Sequence, residues 1–225
     1  MSGYGHNGVL VRTILDTGSG GLVRRLTEVP AGTRHDGTAG PGGQLWFVIM
    51  GSGLLEPAGW LLRPGVGLWL PPGTHYGLAA GVAGPLRLDC AELPAGDGPV
   101  PAGSAQAGGP ALADLRDAPT EVTGDRRFRV LFGPGRGCGA ATQFVGEIPP
   151  GRAPGHSHPY DETVLVLDGQ GMLHAGVDSR PLALGDCVHL PPGRQHCLEN
   201  TGRRTLRVLG VFHPGGSPAV KTGSS

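Results

Sequence analysis

Short apolar runs broken by Gly, Pro, Asp and Asn recur along the chain. In "ETVLVLDG" (Glu162 to Gly169) successive side chains fall on opposite faces of an extended strand. Glu162, Val164 and Val166 share one face, and Leu165 and Leu167 share the other. "LRPGVGLWLPPG" and "LALGDCVHLPPG" each enter an apolar run through glycine and leave it through Pro-Pro-Gly. Such punctuation marks strands and tight turns. No segment keeps apolar residues at helical spacing for more than about two turns. The pattern therefore predicts an all-β chain. One short helical turn is expected over Ala111 to Asp117, stopped by Asp117-Ala-Pro.

The strand pattern occurs twice. "VLVRTILDTGSGGLVRRLTEVPAG" (Val9 to Gly32) lies ungapped over "FRVLFGPGRGCGAATQFVGEIPPG" (Phe128 to Gly151). "WFVIMGSG" (Trp46 to Gly53) matches "VLVLDGQG" (Val164 to Gly171), and "LRPGVGLWLPPGTHYGL" (Leu62 to Leu78) matches "LALGDCVHLPPGRQHCL" (Leu182 to Leu198). "PLRL" at Pro85 is echoed by "TLRV" at Thr205, and the offset stays between 118 and 120 residues. Four blocks in one order define a duplicated module. The expected division is an N-terminal module over 1–93, an Ala/Gly/Pro-rich linker or excursion over 94–120, and a C-terminal module over 121–225.

Composition narrows this picture. The 225 residues include 43 Gly and 22 Pro, a level that suits the turns of an all-β chain. The formal net charge is zero, so neither a nucleic acid nor an acidic membrane is indicated as partner. "MSGYGHNGVL" lacks a basic segment followed by an apolar one, and no apolar stretch is long enough to span a bilayer. A cytoplasmic location is expected. Cys90, Cys138, Cys187 and Cys197 form no Cys-x-x-Cys pair. Cys187 and Cys197 could meet across a hairpin, but free thiols are expected in such a compartment.

Candidate chemistry lies in "PGHSHPYDETVLVLDGQG" (Pro154 to Gly171). His156 and His158, two residues apart, point the same way on an extended backbone. Glu162 heads the next apolar run, where a buried carboxylate is costly unless paired or metal-bound. His196 follows the turn "PPGRQ" and opens another strand. Three imidazoles and one carboxylate suit a divalent transition ion rather than Mg²⁺ or Ca²⁺. Gln143 and His174 are candidates for the mouth of a cavity. His189, opposite Val188 and Leu190, is expected to face outward. Tyr160 and Asp161 are read equally as loop residues or substrate contacts.

At these positions the sequence resembles the cupin superfamily. Its first motif is met by Gly151, His156, His158, Glu162 and Gly169, with the gap after the first glycine one residue shorter than usual; its second is met in full by Gly185, Pro191, Gly193, His196 and Asn200. The duplication makes the chain look like a bicupin. The resemblance implies two tandem antiparallel jelly-roll β-barrels, with His156, His158, Glu162 and His196 as ligands of one divalent transition metal (Fe, Mn, Ni, Zn or Cu) per chain. Aligned on the glycines, the N-terminal copy offers Thr38, Gly40, Gln44 and Tyr76 at the matching points. His75 falls one residue out of register, and His35 sits in a longer loop. That barrel is expected to be metal-free and structural, with Trp46, Trp69 and Tyr76 as core or ligand contacts. The activity implied first is a mononuclear-metal dioxygenase acting on a small organic metabolite. A redox-neutral isomerase or cyclase and a non-enzymatic ligand-binding protein are the alternatives. A homodimer is left open.

Overall fold

The computed structural model describes residues 2–4, 8–18, 20–95 and 109–219. Among them the regular elements are antiparallel β-strands, and no helix is long and apolar enough to cross a membrane. The chain divides into two compact units, Met1–Asp117 and Ala118–Ser225.

The C-terminal unit is a jelly roll of two sheets. The larger has the strand order Glu121–Thr123, Arg126–Phe132, Thr142–Ile148, Leu206–His213, Asp161–Asp168, Cys187–Leu190. The smaller runs Gly151–Arg152, His196–Asn200, Gln170–Ala175, Asp178–Ala183. The alternation read from the sequence sets which side chains face inward. Val164 and Val166 join Val188, Leu190, Leu198, Leu206 and Val208 in one buried cluster. Each such side chain contributes about 1.5–3 kcal/mol by leaving water. Asn200 pins the end of its strand: its amide nitrogen donates to the carbonyls of Ile148 (2.8 Å) and Arg204 (2.7 Å), and its oxygen accepts from the Gly202 N–H.

The N-terminal unit repeats this order. Its larger sheet runs Ser2–Tyr4, Leu10–Asp16, Val23–Val29, Leu86–Glu92, Gln44–Met50, Val66–Leu70, Ala111–Asp114, and its smaller sheet Arg34–Thr38, His75–Ala80, Gly53–Glu56, Trp60–Leu62. Taken position by position, the two sheets match those of the C-terminal unit, except for one extra strand. Ala111–Asp114, expected as a helical turn, pairs antiparallel with Val66–Leu70 instead. An unpaired edge strand presents a row of backbone donors and acceptors, and satisfying it outweighs the helix propensity of Ala and Leu. Part of the expected excursion thus belongs to the first unit; its residues 96–108 lie outside the described residues. All four cysteines are free thiols.

Candidate metal centre

The two sequence motifs of the C-terminal unit are clipped together by backbone. His156 and His196 exchange N–H···O bonds of 2.9 and 2.8 Å, and the Gly193 N–H donates to the His158 carbonyl at 2.8 Å. The turn Pro191 to Arg194 therefore holds the loop that carries the first two histidines. Glu162 enters from the start of the strand Asp161–Asp168, where it pairs with Leu190 on one side and Phe212 on the other. His156, His158 and Glu162 meet His196, 34 residues beyond Glu162, in one buried cluster.

In that cluster the three imidazoles offer ligand atoms within 4.8 Å of one another. Glu162 Oε2 lies 3.4 Å from His196 Nε2 and 3.7 Å from His158 Nε2. His196 Nδ1 is 2.9 Å from the Arg194 carbonyl, which can only accept, so Nδ1 carries the proton. In the neutral ring the Nε2 lone pair then faces the lone pairs of the carboxylate. Glu162 Oε2 is buried and receives no hydrogen bond. Two lone-pair donors held face to face in a buried site repel unless a cation lies between them. The donor set, three nitrogens and one carboxylate oxygen, fits a divalent transition ion.

Aromatic rings wall this cluster. Tyr160 stacks on His158 (centroids 5.9 Å, interplanar 15°), and Phe212 touches both His158 (5.1 Å) and Tyr160 (5.0 Å). Phe144 packs on Phe212 at 4.9 Å. It can do so because Gly210 has no side chain; a Cβ there would lie 2.2 Å from the Phe144 ring. A cavity of about 70 Å³ adjoins the four residues, and its wall also includes Phe128, Phe144, Ile148, Leu198, Val208 and Arg126.

The other sequence candidates fall elsewhere. Gln143 is fully buried, but strand alternation places it on the face opposite Phe144 and away from the cavity. His174 also points away from the interior: its ring bonds Ser179 Oγ (2.8 Å) and Glu199 Oε2 (2.7 Å). Neither is at the cavity mouth, where the sequence places them, because alternation assigns each residue a face without saying which face meets the cavity. His189 faces outward and bonds Asp161 at 2.8 Å. Sequence reading missed Arg126, Phe144 and Phe212; the inward series Leu206, Val208, Gly210, Phe212 was the available signal for the last.

In the N-terminal unit Gln44 occupies the place of Glu162, pairing with Leu70 and Glu92 as Glu162 pairs with Leu190 and Phe212. The histidine positions differ from the expected Thr38 and Gly40. Gly37 pairs with Tyr76 as His156 does with His196, and the Ala39 carbonyl receives the Gly73 N–H as that of His158 receives Gly193. Gly37 and Ala39 are the true counterparts, because the loop from Ala39 to Gln44 is one residue longer than that from His158 to Glu162. Tyr76 fills the vacated space: a Cβ on Gly37 would lie 2.4 Å from its hydroxyl. Its ring meets Trp46 edge-on at 5.6 Å, and its hydroxyl bonds Gln44, which also accepts from Trp46 Nε1 at 3.1 Å.

Residues 144–212 match the cupin domain family. The chain is 34% identical over 68 residues to the oxalate-binding protein of Thermotoga maritima, a match covering 29% of this chain and 56% of that protein. The chain thus spans little more than half the length of that relative. The putative glyoxylate-induced protein of Pseudomonas aeruginosa superposes with a TM-score of 0.77 at 16% identity, over 97% of this chain and 86% of that one. A variant of Bacillus subtilis oxalate decarboxylase superposes with a TM-score of 0.73 at 13% identity, over 94% and 74%. The cupin domain match thus lies within the C-terminal unit, and the N-terminal unit repeats the same jelly roll.

Proposed function

We propose that this protein is a mononuclear-metal enzyme of the dioxygenase type, acting on a small chelating metabolite in its C-terminal barrel. One divalent transition ion per chain is held by His156, His158, Glu162 and His196. The observation that carries this reading is the buried Glu162 Oε2, without a hydrogen bond and 3.4 Å from His196 Nε2. Such an ion would supply a Lewis-acid and redox centre beside the cavity. The chain's own residues do the rest. The bond from His196 Nδ1 to the Arg194 carbonyl fixes the tautomer that turns Nε2 inward. Tyr160 and Phe212 clamp the His158 ring and keep bulk water from it. Phe128, Phe144 and Val208 offer an apolar wall to the substrate.

The test is oxygen uptake by the Fe(II)-loaded protein with catechols, flavonols, diketones and small organic acids. Substrate-dependent uptake supports the reading. Turnover that persists without oxygen, and with Zn²⁺ in place of iron, would assign a redox-neutral isomerase or cyclase instead. The oxalate-binding relative favours a second reading, a non-catalytic carrier of a small carboxylate. Tight carboxylate binding without turnover under either condition would support it.

A further inference from the structure

Arg126 lines the cavity and has no part in the metal-centre reading. It begins the strand Arg126–Phe132 of the larger sheet and lines the cavity with Phe128, its same-face neighbour. Its Nη2 donates across the gap between sheets to the Leu198 carbonyl at 2.5 Å. That bond fixes the guanidinium. Its Nε is buried and donates to nothing among the described residues. A buried charged donor without an acceptor is expensive; the cavity is lined by the apolar Ile148, Leu198, Phe128 and Val208 and by the polar Thr123 and Glu147.

Leu198 lies two residues beyond His196 on the same face of its strand, about 7 Å along it. We infer that Arg126 is the specificity-determining residue of this site, and that the substrate is an organic acid. One end of the substrate chelates the ion and a carboxylate at the other end accepts from the Arg126 guanidinium. This rests on the metal-centre reading above, and it adds the substrate class. A guanidinium suits the task because its donors are fixed in a plane and its charge survives at any physiological pH.

The experiment compares two ligands on the full-length, Mn(II)-loaded protein by calorimetry, with metal content measured in the same samples. 2-Oxoglutarate and 2-oxopentanoate share a chelating 2-oxo acid end and a chain length; only the first carries a distal carboxylate. The wild type should bind 2-oxoglutarate at least about tenfold more tightly, the effect of one charge-assisted hydrogen bond. Arg126→Met should abolish that preference while keeping the bound Mn(II). Arg126→Lys, which keeps charge and bulk but lacks the planar donor pair, should retain only part of it and covers the case in which the methionine variant misfolds. A preference absent from the wild type, or undiminished in both variants, would overturn the inference and leave Arg126 as a latch between sheets. Failure of the wild type to take up Mn(II) would overturn the metal-centre reading, and the role of Arg126 with it.

Discussion

The interiors of the two barrels share a strand order and differ in what fills them. In the C-terminal barrel four polar side chains converge on one point and leave a cavity beside it. In the N-terminal barrel Gly37, Ala39, Gln44 and Tyr76 stand in their place, and the phenol of Tyr76 occupies the room a histidine at position 37 would need. The scaffold tolerates either solution because the sheets are held by alternating apolar residues elsewhere. The proposed function therefore rests on a handful of side chains at one end of one barrel.

The largest effect expected from breaking this difference is on metal content. Wild-type protein should hold one transition-metal equivalent per chain. Glu162→Gln installs the N-terminal barrel's residue and His196→Ala removes an imidazole; each should weaken binding by at least about tenfold. Gln44→Ala and His75→Ala should change nothing that elemental analysis detects. Two equivalents in the wild type would refute the contrast.

The next effect is on stability. Arg24 and Asp89 form a bidentate, fully buried ion pair (3.1 and 2.8 Å), and the repeat places Gln143 and Leu209 at the matching positions. Arg24→Met leaves Asp89 buried without its partner and should cost about 3–5 kcal/mol in denaturant unfolding. Gln143→Met strands no charge and should cost less, about 1–3 kcal/mol. Equal losses would remove the distinction between the units.

Gly37→Ala places a methyl group against Tyr76 and should destabilise by about 1–3 kcal/mol, with metal content unchanged. A loss of metal would show that the N-terminal interior bears on the site.

The smallest effect is a pH dependence. Burial, followed by the neighbouring Cys90, raises the Tyr76 phenol well above its ordinary value, despite the bond from Gln44. The folded chain then keeps the proton that the unfolded chain releases near pH 10. The stability linked to Tyr76 is thus complete below about pH 10 and is lost as pH rises beyond it. Tyr76→Phe should flatten that alkaline decline in thermal unfolding, and an unchanged slope would assign it to other groups.

Much of this was legible in the chain itself. Period-two alternation and Gly/Pro punctuation specify strands and their two faces, so the all-β class, the duplication and the inward Val164 and Val166 were readable. The spacing of His156 and His158 puts both on one face, because i and i+2 side chains share a face whatever the strand pairs with, and the resemblance to the cupin motifs adds Glu162 and His196 to the proposed donor set. Pairing itself is a long-range event, and only the tertiary structure decided it. The register between Gly37 and Tyr76 moved the expected counterparts from Thr38 and Gly40 by one residue. The open edge of Val66–Leu70 turned Ala111–Asp114 into a strand. The bond from Arg126 to Leu198 joins positions 72 residues apart on different sheets. Alternation tells a residue which side it faces but not what waits there, and so Gln143 and His174 were misplaced and Arg126 went unseen.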